Sequence, residues 1–135
     1  FINGSRYNGN WLKGLRHGQG KITYYSNGSE YQGEWLNGFK NGYGEYTYVN
    51  GDIYKGNWQN GKMHGKGTFT YSNGNEYIGN YKNGQRSGEG TFNYINGDKY
   101  SGNWKNGKRY GKGSFFYVNG DPQTGIWEDG RILPE

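Results

Sequence analysis

The stretch Tyr54-Lys55-Gly56-Asn57-Trp58-Gln59-Asn60-Gly61-Lys62-Met63-His64-Gly65-Lys66-Gly67-Thr68-Phe69-Thr70-Tyr71-Ser72-Asn73-Gly74 decides the fold. In its first part Tyr54, Gly56 and Trp58 alternate with Lys55, Asn57 and Gln59. In its second part Gly65, Gly67, Phe69 and Tyr71 alternate with Lys66, Thr68 and Thr70. A period of two is the signature of a β-strand. Asn60-Gly61 separates the two parts and Asn73-Gly74 closes the second, and Asn-Gly is the pair that best tolerates the positive φ of tight hairpin turns. The stretch is one β-hairpin.

The same hairpin recurs along the whole chain. Its opening motif is found as Tyr7-x-Gly9-x-Trp11, Tyr31-x-Gly33-x-Trp35, Tyr54-x-Gly56-x-Trp58, Tyr77-x-Gly79-x-Tyr81 and Tyr100-x-Gly102-x-Trp104, with a degenerate Gln123-x-Gly125-x-Trp127. The step is 23 residues, except for a first step of 24 that predicts a bulge or longer turn near Tyr24-Tyr25. Such periodicity makes the whole of residues 1–135 one repeat array. Five full repeats lie at about 7–29, 31–52, 54–75, 77–98 and 100–121, with partial units at 1–5 and 123–130. The expected fold is all-β: a single twisted antiparallel β-meander of 23-residue hairpins, forming an elongated curved ribbon or trough. Counting a stub at Phe1-Ile2 and a last strand at Thr124–Trp127 gives about twelve strands.

Composition agrees. Of 135 residues only 30% are hydrophobic, against 28 glycines and 26 aromatics (15 Tyr, 6 Phe, 5 Trp). A mean hydropathy of -1.22 with net charge +5 would suggest disorder, but disordered chains are poor in aromatics. Alternation puts rings and glycines on one face and Lys, Glu, Asn, Gln and Thr on the other. Glycine in a strand leaves room for a neighbouring ring to lie over bare backbone, so rings over glycines replace an ordinary core. The sheet is expected to curl about its ring face.

The pattern Tyr-x-Gly-x-Trp-x-x-Gly-x-x-x-Gly-x-Gly-x-x-x-x-x-x-Gly, repeated at 23, resembles the MORN repeat (membrane occupation and recognition nexus). The departures are Tyr81 in a tryptophan position and Gln123 in a tyrosine position. The resemblance implies a meander of hairpins used as a non-enzymatic interaction or membrane-attachment module, and cytoskeletal, ciliary or membrane association.

Three groups of residues are candidate contacts. The first is a partner-binding groove on the ring face, made of Trp11, Trp35, Trp58, Tyr81, Trp104 and Trp127 with Tyr24, Tyr48, Tyr71, Tyr94 and Tyr117. Exposed aromatic surface is what helical or extended peptides dock on. The second comprises aromatics that the repeat does not require: Phe39 and Tyr110 in loops, Tyr43 and Phe116 on the polar face. The third is a basic edge for acidic lipid headgroups or an acidic protein, where the segments after the second turn stack Arg16, Lys40, Lys62, Arg86, Lys108 and Arg109.

Catalysis and metal binding find little support. There is no cysteine, and His17 and His64 have no aligned acid partner, so neither a catalytic residue set, a metal site nor a cofactor is expected. Each Gly-x-Gly leads into a strand pattern rather than a helix, which argues against a phosphate-binding loop. Interspersed acids and buried rings argue against nucleic acid. The leading expectation is a scaffold that binds a partner peptide or helix in an aromatic-lined concave groove. The alternatives are acidic phospholipid binding through the basic edge and, for a secreted parent protein, carbohydrate or choline binding. An unpaired end strand offers a route to a homodimer. Absence of cysteine and of a signal-like start points to a cytoplasmic setting.

Overall fold

The computed structural model describes residues 4–135, and no helix occurs among them. Twelve strands form one sheet: β1 (Ser5–Leu12), β2 (Leu15–Tyr24), β3 (Glu30–Leu36), β4 (Phe39–Thr47), β5 (Ile53–Gln59), β6 (Lys62–Thr70), β7 (Glu76–Lys82), β8 (Gln85–Asn93), β9 (Lys99–Lys105), β10 (Lys108–Phe116), β11 (Gln123–Glu128) and β12 (Arg131–Ile132). Every strand is antiparallel to the next, and the spatial order is the chain order. The sheet is therefore an open meander. The stub expected at Phe1-Ile2 lies outside the described residues. The twelfth strand is instead the tail, where Trp127 pairs with Ile132.

Two kinds of turn alternate. The second turn of each repeat is a two-residue hairpin with both residues at positive φ, such as Asn60 (φ 50) and Gly61 (φ 82). That geometry matches the strand twist, and Asn-Gly is suited to it. The other turn is longer and, at Gly28, Gly51, Gly74 and Gly97, has positive φ only at its glycine. There the asparagine side chain does the work: Asn50 Oδ1 accepts from Asp52 N at 2.9 Å and Asn73 Oδ1 from Asn75 N at 2.9 Å. The extra residue of the first repeat is absorbed in this turn, which closes from Tyr24 N to Ser29 O where the next repeat closes from Tyr48 N to Asp52 O.

Both edges are stapled between repeats. Ser72 N donates to Asp52 Oδ1 at 2.7 Å and Val118 N to Asp98 Oδ1 at 3.0 Å. On the tight-turn edge Gly61 N donates to Lys40 O and Gly84 N to Met63 O, both at 2.9 Å. These bonds satisfy turn backbone groups through neighbouring repeats, so each hairpin docks only on those beside it.

Glycines meet across every strand pair from Gly9 in β1 to Gly125 in β11, giving one unbroken spine. The core lies on one side of it. Tyr31, Tyr54, Tyr77 and Tyr100 are fully buried, each lying across a glycine pair. A Cβ at Gly44 would overlap the Tyr31 hydroxyl and ring, and one at Gly67 those of Tyr54. The tyrosine hydroxyls donate to strand carbonyls, Tyr54 to Asn57 O at 2.9 Å and Tyr77 to Asn80 O at 2.8 Å. Each indole after that of Trp11 leans back over the preceding repeat: Trp35 Nε1 donates to Gly20 O, Trp58 to Gly44 O, Trp104 to Gly90 O and Trp127 to Gly113 O, at 3.0–3.1 Å. Each buried tyrosine stands edge-on to the ring of its own repeat and to the next, as Tyr31 does to Trp35 (5.2 Å) and Trp58 (5.3 Å). Edge-to-face pairs add roughly 0.5–1.5 kcal/mol each beyond area burial.

Candidate functional site

A depression of about 1150 Å³ lies on the polar face. The ring face, where the groove was expected, carries smaller hollows of about 250 Å³ beside Phe92, Tyr94 and Trp104 and about 230 Å³ beside Phe69, Tyr71 and Tyr81. Tyrosines laid across the glycine spine and indoles laid over the preceding strand cover the spine on the ring side, whereas the polar side is left with bare spine backbone between two rows of side chains. One row includes Lys55, Thr68, Ile78, Thr91, Ser101, Ser114 and Thr124. The other includes Tyr43, Asn57, Lys66, Asn80, Glu89, Asn103 and Lys112. From Tyr43 in β4 to Thr124 in β11 there are seven strand intervals, roughly 34 Å at 4.8 Å each.

The trough is built on a repeated irregularity. Between Gly56↔Gly67 and Trp58↔Met63, Asn57 alone faces His64, Gly65 and Lys66, and the equivalent break recurs in each full repeat. Gly65, at φ 78, takes up the bulge. Polar side chains brace it from the trough side: Asn80 Nδ2 donates to Glu89 O at 3.1 Å, Asn103 Nδ2 to Lys112 O at 3.2 Å, and Tyr43 N to Glu34 Oε2 at 2.7 Å. Hydroxyl pairs Thr91–Ser101 (3.1 Å) and Ser114–Thr124 (2.8 Å) line the opposite row. Composition alone did not single out these trough residues. Their signal was positional, since each flanks a spine glycine.

Most of the expected groove residues form the core. Trp35, Trp58, Tyr81, Trp104 and Trp127 are buried, Tyr24, Tyr48, Tyr71 and Tyr94 half-buried, and Tyr117 exposed. Trp11 differs: it is 55% exposed, because no described strand precedes β1 to receive its indole. Tyr81 keeps the slot without an indole N–H, and its burial pushes the phenol pKa far up, with nearby Tyr71 adding to the effect. Burial, followed by Tyr46 and Asp52, holds Tyr48 at about 12. Of the off-template aromatics, Tyr43 lines the trough, while Phe116 and Tyr110 stay exposed with Lys99 Nζ (5.0 Å) and Lys105 Nζ (4.9 Å) over their rings. Phe39 and Tyr110 belong to strand ends rather than to loops.

The segments after the tight turns are strands too, and strands have two faces. The six cations therefore do not form one row. Arg16, Lys40, Arg86 and Arg109 point to the ring side, while Lys62 and Lys108 alternate to the other. The Arg16 guanidinium lies 4.9 Å from the Trp35 ring, Lys40 Nζ 5.4 Å from Trp58, Arg86 4.7 Å from Trp104 and Arg109 5.0 Å from Trp127. Such cation–π contacts are worth roughly 0.5–2 kcal/mol each. Met63 takes the same slot in the middle repeat and Ile132 at the end. Arg86 is anchored further, donating to Gly107 O at 2.7 Å and to the Tyr71 hydroxyl at 3.3 Å. Burial, with Arg16 nearby, lowers the Lys40 pKa.

No group of three or more metal-ligating side chains occurs among the described residues, and no helix there is long and apolar enough to cross a membrane. The sheet offers a rigid frame with a long polar trough on one side and ring-packed cations on the other. Models of the MORN repeat match the chain five times in succession, at residues 7–29, 31–53, 54–76, 77–99 and 100–121. No curated protein matches it.

Proposed function

Because the chain belongs to the MORN-repeat family, whose members are interaction or membrane-attachment modules, we propose that it is a non-enzymatic scaffold that receives a segment of a partner protein in the polar-face trough. The observation that carries the reading is the depression of about 1150 Å³ along the glycine spine, on a sheet whose other face is occupied by its own core. A trough roughly 34 Å long accommodates a helix of about 22 residues or an extended segment of about ten. Its lining is mixed, with Ile78 and Tyr43 for apolar contact and Lys55, Lys66, Glu89 and Lys112 for charge. That composition suits a partner segment with both polar and apolar positions.

Affinity capture with the unaltered chain, compared with Thr91→Trp and Ser101→Trp variants that fill the trough, tests this. A partner recovered by the unaltered chain and lost with both variants, while their circular dichroism is unchanged, supports the reading. Equal capture by all three removes the trough as the site.

A further inference from the structure

We propose that the ring face carries a second, separate site: a ladder of cations that takes an acidic helix of a partner protein. The ladder is the slot opposite each tryptophan position, filled by Arg16, Lys40, Met63, Arg86 and Arg109 in chain order. Among the described residues none of its cations pairs with a carboxylate, the one ion pair being Lys21 to Glu30 at 3.3 Å. Every strand carboxylate (Glu30, Glu34, Glu45, Glu76, Glu89 and Glu128) sits at a polar-face position. The ring face of the described strands is thus positive, and its cations have no anionic partner among the described residues. Ring contacts and the bonds of Arg86 hold them in place, so a ligand need not order them.

Spacing selects the partner. Successive slots are two strands apart, about 9.6 Å, and seven residues of helix rise about 10.5 Å on nearly the same face. An acid every seven residues therefore meets Arg16, Lys40, Arg86 and Arg109, with an apolar residue at the middle position over Met63. The mismatch of about 0.9 Å per step lies within the reach of a glutamate side chain. A planar anionic membrane fits less well. The long-turn edge bordering the rings carries Asp52, Asp98 and Asp121, which a bilayer would meet together with the ladder. A narrow helix seated on the slots meets the cations alone.

The test uses the full chain and a fluorescent alanine-rich peptide with five heptad positions, glutamate at the first, second, fourth and fifth and leucine at the third. A second peptide of equal composition has its glutamates distributed around the helix. Fluorescence anisotropy should show the heptad peptide binding at least about fivefold more tightly than the distributed one. Arg86→Gln with Arg109→Gln should weaken it about tenfold, while Lys62→Gln with Lys82→Gln, an equal loss of charge elsewhere, should change it less than about twofold. Met63→Arg should strengthen binding of a peptide with glutamate also at the third position by about three- to tenfold, a gain that misfolding cannot mimic. Equal binding of the two peptides, equal effects of the two double variants, or capture by phosphatidylserine vesicles without peptide binding would each overturn the proposal. Neither site depends on the other, so Thr91→Trp and Ser101→Trp report on the trough alone.

Discussion

Gly67→Ala isolates the contact on which the sheet rests. The added Cβ would overlap the hydroxyl and two ring carbons of Tyr54. Tyr54 has nowhere to go: it is fully buried, its hydroxyl is bonded to Asn57 O at 2.9 Å, and its ring stands between Trp58 (5.2 Å) and Tyr81 (5.3 Å). Overpacking at such a site costs about 3 kcal/mol. Gly84→Ala provides the comparison, since a Cβ there meets nothing within 4 Å and the expense is only that of a side chain at φ 86, about 1 kcal/mol. For a chain of 135 residues each kcal/mol moves the midpoint by about 3–5 °C, so melting followed by near-ultraviolet circular dichroism should fall by about 9–15 °C for Gly67→Ala and about 3–5 °C for Gly84→Ala. Tyr54→Phe removes the atom that the methyl strikes hardest, and combined with Gly67→Ala it should recover about 1 kcal/mol relative to the sum of the two single changes. Equal midpoints for the two alanine variants, or strict additivity of the pair, would refute the picture of rings resting on bare backbone.

The indole bonds make a second comparison: Trp58→Phe loses the donor to Gly44 O and part of a buried ring and should cost about 2 kcal/mol, whereas Trp11→Phe should stay within about 0.5 kcal/mol in the same melts. Alkaline pH should unfold the array. Burial raises the pKa of Tyr48 to about 12 and also raises those of Tyr24, Tyr71 and Tyr100, so the folded state keeps protons that the unfolded state releases near 10. Stability is then held below about pH 10 and lost between about 10 and 12; phenolate absorbance should rise together with loss of structure, and ionisation of all tyrosines without unfolding would contradict it. Deleting Arg131–Glu135 removes β12, uncovers Trp127 and opens the contact of Ile132 over Gly125, and should lower the midpoint by several degrees; an unchanged melt would show that the tail is not a cap.

Alternation was enough to place almost every ring, because a strand residue has only two directions and the Tyr-x-Gly-x-Trp motif, with Tyr81 in the tryptophan position of one repeat, fills one of them in all five full repeats. It was also enough to place the cations, had it been carried through the tight turn: Met63, Gly65, Gly67 and Phe69 keep one parity, and so do Arg16, Lys40, Arg86 and Arg109 in their own repeats. A segment as polar as Lys62-Met63-His64 reads as a loop only until its turn is seen to need just Asn60 and Gly61. The hollow of the polar face was not legible. That depends on the break where Asn57 faces three residues, and on how far rings from one strand reach over the next, neither of which is a property of a single strand's pattern. The repeats within this chain then separate two kinds of position. The buried Tyr and the spine Gly do not vary across the five full repeats, because any other residue there would leave a void or a clash. The slot over the rings accepts Arg, Lys and Met without disturbing either, so its occupant is free of the fold and available to record what the ring face meets.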